Sequence, residues 1–173
     1  MLVPALLHKG ELLGKFVQEM YTDKYFYYSG YGYSHELPNI EDKCQDCVYQ
    51  YAVVDRKENV LGWFAYRIYP DLKSVENFGL YAFKDSAYSA FKSALILGRD
   101  VYNEIQRLIQ EYHRVSWRVI SGNPVIRSYD KLYKQFSHDT RFHTNRVELH
   151  DVTIDPHGNY HNEIIYEIIN TQK

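Results

Sequence analysis

Four groups of side chains in this 173-residue sequence invite a chemical reading. Cys44 and Cys47 form a C-x-x-C pair, a spacing that zinc ligands and redox dithiols share. A structural zinc takes four ligands, and no second pair or H-x-x-x-H stretch accompanies this one. His35 is the nearest histidine, and nothing fixes it as a partner. A redox pair normally follows a strand and opens a helix, which is not the local pattern here. The thiols therefore read as free and reduced, and no metal site is expected. His138, His143, His150, His157 and His161 crowd the last third of the chain, but their spacings fit no ligand set. Tyrosine is abundant, with 18 in the chain, and Tyr21, Tyr25, Tyr27, Tyr28, Tyr31 and Tyr33 cluster early. Such rings can line a cleft and stack on a sugar or flat substrate. They can equally cover a core edge, ring inward and hydroxyl outward, which is the reading preferred here.

The fourth group is the stretch Asn123–Phe136, which follows the β-prone run Val115–Ile120. Asn123 suits a helix N-cap, because its side-chain oxygen can accept from an otherwise orphaned N–H. Pro124 suits the first helical position, where no N–H is needed. Ile126, Tyr129, Tyr133 and Phe136 then recur at helical spacing and make one apolar face. The segment reads as strand, tight turn and capped helix, with Tyr129 on the buried face.

The rest of the chain supplies elements to position that segment. Residues 9–22 carry Leu12, Leu13, Phe16, Val17 and Met20 at helical spacing. Residues 23–47 are irregular, punctuated by Gly30, Gly32, Pro38 and Asn39. Val48–Val54 and Val60–Ile68 are β-rich runs across a polar turn, the signature of an antiparallel hairpin. A third strand is expected at Asn77–Phe83. A helix follows at 99–112 on Val101, Ile105, Leu108, Ile109 and Tyr112, with room to extend back to Ser93. A second hairpin, Arg146–Ile154 and Tyr160–Ile169, closes the chain around the turn at residues 155–159. A mostly antiparallel sheet interrupted by helices is an α+β architecture. The length fits one domain over residues 1–173, able to bury roughly 70% of its unfolded surface. A net charge of −2 gives no general attraction to nucleic acid. Leu2–Leu7 is too short for a membrane span and has no basic flank, so a soluble, cytoplasmic protein without a membrane partner is expected.

The order of elements, from about residue 9 onward, resembles the GNAT N-acetyltransferase superfamily. In that family a strand ending in Asn leads into a helix of the form N, small residues, I, x, x, Y, x, K, x, G, F. Here these are Asn123, Ile126, Tyr129, Lys131 and Phe136, with Gln135 where the glycine stands. His113–Val119 resembles the family's fifth strand, and Leu61-Gly62-Trp63-Phe64 its third. His157-Gly158-Asn159-Tyr160-His161-Asn162 is similar to the closing hairpin of related acyltransferases. The resemblance implies a twisted, mostly antiparallel sheet flanked by helices, with a splayed parallel strand pair at its centre. It implies transfer of an acetyl group from acetyl-CoA to an amine of a small molecule or protein. Tyr129 would then be the general acid for the departing thiolate, because an ordinary phenol, with a pKa of about 10, keeps its proton at neutral pH. Glu76, at the start of the fourth strand, is the candidate base, with Asp85 a weaker one. Backbone at Tyr81, Ala82 and Phe83 would hold the thioester, and Asn123 would lie near the pantetheine arm.

The pyrophosphate loop departs from the family. Its expected (Arg/Gln)-x-x-Gly-x-(Gly/Ala) needs glycine so that backbone can approach phosphate closely. Counting back from His113 puts it at Ala90–Leu95, which has neither the Arg nor the glycines. Matching by residue type instead picks Gly98, Arg99 and Asp100 as the opening of a shorter helix, the version preferred here. Some divergent GNAT-like proteins, several of them phage-associated, are similar to that version. Two alternatives accompany the acyltransferase: a non-catalytic GNAT-fold binding or scaffold protein, and a carbohydrate-binding domain with its cleft near Tyr27–Tyr33. On the leading reading, Tyr25–His35 and residues 155–162 border the acceptor side. The closing strand offers an edge to a second copy, so a homodimer is possible on this sequence.

Overall fold

The computed structural model describes residues 1–19, 39–40, 48–83, 90–123, 125–155 and 157–173, with backbone alone at Asn77 and 90–97. Strand β1 (Leu2–Pro4) leads through a 3-10 turn at Ala5–His8 into helix α1 (Lys9–Glu19). Strands β2 (Val48–Val54), β3 (Val60–Tyr69) and β4 (Ser74–Ala82) follow. Helix α2 (Ala90–Glu111), strand β5 (Arg114–Ile120) and helix α3 (Ile126–Ser137) come next. Strands β6 (Phe142–Ile154) and β7 (Tyr160–Asn170) close the chain. Among the described residues the strands form one sheet in the order β1-β2-β3-β4-β5-β7-β6. All neighbours are antiparallel except β4 and β5, which run parallel. This is the α+β architecture expected from the sequence.

Both hairpins close on the same device. Asp55 Oδ1 accepts the backbone N–H of Lys57 (2.7 Å) and of Asn59 (2.9 Å), and Oδ2 accepts from Asn59 Nδ2 (2.8 Å). One hundred residues later Asp155 Oδ1 accepts from the N–H of His157 (2.8 Å) and Asn159 (2.9 Å), and Oδ2 from Asn159 Nδ2 (3.0 Å). An aspartate that satisfies the turn's own amides makes the chain reverse at a fixed point and so sets the register of both strands. The fourth loop residue takes a positive φ in each case, 64° at Glu58 and 84° at Gly158. Glycine accepts that geometry without steric cost, whereas Glu58 pays a small one.

Alternating side chains divide the core between the two sheet faces. On one face α1 buries Leu12 and Phe16 against Ala52, Val54, Trp63, Tyr81 and Phe83. On the other, α2 and α3 bury Val101, Ile105, Leu108, Tyr129, Leu132 and Phe136 against Val53, Phe64, Tyr66, Val115 and Trp117. Each such fully buried side chain contributes about 1.5–3 kcal/mol of transfer free energy. Gln135, standing where the family has glycine, has a job here: its side-chain oxygen accepts from the Tyr102 hydroxyl and ties α3 to α2.

Four sequence expectations need correction. The fourth strand begins at Ser74, three residues before the expected Asn77. Helix α2 begins at Ala90, so Gly98, Arg99 and Asp100 lie within its third turn and do not open a shorter helix. The closing strand β7 is interior, between β5 and β6, and the free edge belongs to β6. The N-terminal Leu2–Pro4 adds an edge strand, paired with β2 from Leu2↔Val53 to Pro4↔Tyr51, which three residues are too few to reveal by periodicity. The expected Cys44–Cys47 pair, the cluster Tyr21–Tyr33, His35 and Asp85 lie outside the described residues.

Candidate active site at the splayed strand pair

The parallel ladder between β4 and β5 is short. Ser74, Val75 and Glu76 pair with Arg114, Val115 and Ser116, and there the ladder ends. Both strands continue, β4 to Ala82 and β5 to Ile120, with no rung between them. A β-bulge marks the point of divergence. Tyr66 of β3 faces two residues of β4, Asn77 and Phe78, because the register passes from Arg67↔Glu76 to Ala65↔Gly79. A bulge bends its strand and increases local twist, which carries β4 away from β5.

Hydrogen-bond alternation shows which backbone groups face the gap. Phe83 N–H donates to Leu61 of β3 (3.0 Å). In an antiparallel ladder bonded pairs recur at every second residue, so Tyr81 and Phe83 turn their polar groups to β3, whereas Leu80 and Ala82 turn theirs to the gap. Across it, Ser121 N–H donates to Asn162 (2.8 Å) and Asn170 N–H to His113 (2.7 Å). The same alternation gives Trp117 and Val119 to β7 and leaves Arg118 and Ile120 facing β4. Of the three residues expected to hold a thioester, Ala82 turns its backbone to the gap, as does Leu80, whereas Tyr81 and Phe83 turn theirs to β3; Arg118 and Ile120 lie opposite. Tyr81 serves a structural end as well, its buried hydroxyl bonding Glu19 of α1. Peptide donors and acceptors without a partner are costly, and among the described residues these pair with no strand across the gap, so the lining fits an extended, amide-bearing ligand.

Tyr129 comes from α3 onto one flank of the splayed pair. Its ring is 6% exposed and stands edge-on to Trp117 (5.4 Å) and Tyr166 (5.8 Å). Trp117 is stacked between Tyr166 (5.2 Å, 13°) and Phe78 of the bulge (5.2 Å, 21°). Burial pushes the Tyr129 phenol above its ordinary value, and the neighbouring Tyr166 adds to the effect. Its proton is therefore held throughout the neutral range. Tyr166, unlike Tyr129, spends its hydroxyl on Asp130 (2.7 Å), which also accepts from Arg146 Nε (2.9 Å).

Glu76 lies at the closed end of the gap. Parity along β4 sends Val75 to the α2–α3 core and Glu76 to the other face, so Glu76 and Tyr129 flank the sheet on opposite sides. The Glu76 carboxylate accepts from Arg114 Nη1, and Arg114 Nε donates to Glu167 of β7 (2.6 Å). One guanidinium thus clasps β4, β5 and β7 where the strands begin to part. The partial burial of Arg114 opposes its charge, yet the two carboxylates raise its affinity for the proton above the ordinary value.

Asn123 is buried but is not the helix N-cap its sequence suggested: Val125 holds that position without a side-chain cap bond, and Asn123 closes the turn before it, its Oδ1 accepting from Val125 N–H (3.0 Å) while Ile126 N–H donates to its carbonyl (3.1 Å). The regular helix starts at Ile126, and Pro124, expected at its first position, lies outside the described residues. Arg99 is exposed and donates to its neighbour Asp100 (2.9 Å), which also pairs with the Met1 ammonium (2.6 Å). Within a helix, the backbone N–H groups of residues 98–100 belong to the helical ladder and cannot cradle a pyrophosphate. The helix end able to do so is at Ala90, the register that counting back from His113 selects. No group of three metal-ligating side chains is found among the described residues.

No family model and no curated protein sequence matches this chain. Solved structures do. A structure described as a probable acetyltransferase (GNAT family) from Chromobacterium violaceum is similar over 98% of this chain and 85% of its own, with TM-score 0.61 and 13% identity. The dodecameric spermidine N-acetyltransferase from Vibrio cholerae is similar over 74% of this chain and 68% of its own, with TM-score 0.51 and 15% identity. At such identities the likeness is one of fold: the chain has a GNAT-like fold.

Proposed function

We propose that this chain is a single-domain, acetyl-CoA-dependent N-acetyltransferase acting on an amine of a small molecule or a protein. The observation that carries the reading is the gap beyond Glu76 and Ser116, lined by unpaired backbone of Leu80, Ala82, Arg118 and Ile120, with Tyr129 on its flank. Acetyl-CoA supplies an activated thioester whose carbonyl carbon an amine can attack. The gap-facing N–H groups hold the arm and favour negative charge developing on the carbonyl oxygen. Tyr129 Oη holds the proton that the leaving sulfur needs as the C–S bond breaks. Glu76, paired with Arg114, accepts the proton shed by the attacking ammonium, directly or through water. The start of α2 at Ala90, with Lys92 and Ser93 in its first turn, faces the pyrophosphate. Spermidine is the acceptor named for the Vibrio cholerae neighbour, which puts polyamines first among acceptors to try. A cytoplasmic location goes with this reading, and no described helix is long and apolar enough to cross a membrane. A homodimer, if formed through the sheet, uses the β6 edge.

One observation favours a non-catalytic binding or scaffold protein instead: no glycine lies between Gly79 and Gly98, the span that joins β4 to α2 and contains the helix start. Thermal denaturation with and without millimolar acetyl-CoA and CoA separates the readings, followed by thiol release with a polyamine and protein-amine panel. A ligand at about a hundred times its Kd adds roughly 2.7 kcal/mol to the native state, several degrees for a domain of this size. A shift with turnover supports the enzyme. No shift in a folded protein supports the scaffold, which has lost the cofactor loop, and removes the enzyme.

A further inference from the structure

The closed end of the gap holds a polar group that the proposed chemistry has not used. Trp117 is 1% exposed, and its indole Nε1–H has no acceptor among the described residues, although the other tryptophan, Trp63, donates to Gln50 Oε1 at 3.1 Å. A buried N–H without a partner is uncommon, because its lost hydration is not replaced. The position is specific. Trp117 directly follows Ser116, the last paired residue of β5, and its ring lies flat against Phe78, which belongs to the bulge where β4 turns away. The ring is therefore held across the first missing rung by Phe78 on one side and Tyr166 on the other. Tyr129, whose hydroxyl also makes no hydrogen bond among the described residues, stands edge-on at 5.4 Å. Two donors from different elements, neither with a hydrogen-bond partner among the described residues, thus belong to rings 5.4 Å apart beside one end of the gap.

Resting on the acyltransferase reading, we propose that the Trp117 indole N–H is a ligand donor that bonds a carbonyl oxygen of the acyl-pantetheine arm. The stack fixes the ring without using its N–H, which is what a preorganised donor requires. Trp117 would thereby add a side-chain contact to the backbone contacts of Leu80, Ala82, Arg118 and Ile120, and read the presence of a carbonyl at the closed end.

The two tryptophans make the test direct, since a 15N-labelled sample shows two indole N–H signals. CoA and acetyl-CoA are titrated separately, and backbone amides are followed in the same spectra. The expected result is a downfield move and slower solvent exchange of the Trp117 indole proton, with that of Trp63 unmoved. A larger effect with acetyl-CoA assigns the thioester carbonyl as acceptor; an equal effect with CoA assigns a pantetheine amide. Trp117→Phe, which keeps the stack and deletes the donor, should weaken binding of the responding ligand about three- to tenfold, the worth of one net hydrogen bond. Movement of the Leu80 and Ala82 amides with a silent Trp117 indole overturns this inference and leaves the acyltransferase reading standing. Silence at every one of these positions overturns the acyltransferase reading itself.

Discussion

At the scale of single residues, the site depends on which groups hold protons and which are already spent. Tyr129 keeps its proton because burial penalises the phenolate, and its hydroxyl is not committed to a neighbour. Tyr129→Phe should therefore lower kcat by about 10²–10⁴ while leaving the melting temperature nearly unchanged; a variant with near-normal turnover would make Tyr129 a core residue only. Glu76 is partly spent on Arg114, in a pair whose side chains are 26% and 37% exposed. At that exposure the pair adds only about 0.2–1 kcal/mol to stability. Glu76→Gln should accordingly cost little in melting temperature but lower kcat by about 10²–10⁴, and near-normal turnover would reduce Glu76 to a clasp. Asp155 offers a test of stability alone. The His161 ring, Asn159 and the amides of Asn159 and His157 hold its carboxyl well below the usual carboxylate range. A lowered carboxylate stabilises the fold fully above the unfolded pKa, near 3.9, and loses that contribution as pH falls through the folded value. Wild type should thus lose more melting temperature than Asp155→Asn between pH 6 and pH 3, and equal losses would contradict the linkage.

At the scale of elements, spacing told the helices' buried faces well and the strands' orientation poorly. Val101, Ile105, Leu108 and Ile109 are the buried stripe of α2 that their spacing predicts, because 3.6-residue periodicity survives an error in where a helix starts. The start is less legible: Gly98 reads as an opening, yet the helix begins at Ala90, because a helix interior tolerates glycine at about 1 kcal/mol relative to alanine. If the true phosphate-facing end is at Ala90, Lys92→Ala should weaken the acetyl-CoA-induced thermal shift and Arg99→Ala should not; the reverse pattern would restore the Gly98 register. In β4 the hidden feature is the bulge. One extra residue at Asn77–Phe78 inverts the parity of everything after it, and no sequence signal marks it, so a reading by alternation alone turns Tyr81 and Phe83 to the gap in place of Leu80 and Ala82. Gly79, directly after the bulge, is intelligible only in three dimensions. A Cβ there would lie 2.6 Å from Cζ3 and 2.8 Å from Cη2 of the buried Trp63 ring. Gly79→Ala should cost about 1–3 kcal/mol, the usual penalty of overpacking, read as a lower urea midpoint; an unchanged midpoint would show that Trp63 yields freely.

At the scale of the whole molecule, the sheet is two antiparallel halves, β1–β4 and β5–β7–β6, joined edge to edge by the ladder of Ser74–Glu76 against Arg114–Ser116. The Arg114 clasp and the Phe78–Trp117–Tyr166 stack sit on opposite faces at the end of that seam, so it is fastened at one end and open at the other. A ligand in the open part bonds both halves at once and does for the outer rungs what strand pairing does for the inner ones. That expectation has a residue-level signature in amide exchange, because exchange is slow only where an N–H is bonded and protected. Without ligand, Tyr81 and Phe83, bonded to β3, should exchange slowly, and so should Trp117 and Val119, bonded to β7. Leu80, Ala82, Arg118 and Ile120 should exchange fast, giving an every-other-residue pattern on each side of the gap. Acetyl-CoA should slow some of the fast set on both strands, erasing the alternation there while leaving the distant β6–β7 hairpin end near Asp155 unaffected. Protection confined to one strand would mean that the ligand docks on a lip and does not bridge the seam. Uniform protection without ligand would mean that the two halves already pair in solution, and the gap would then have no ligand to explain.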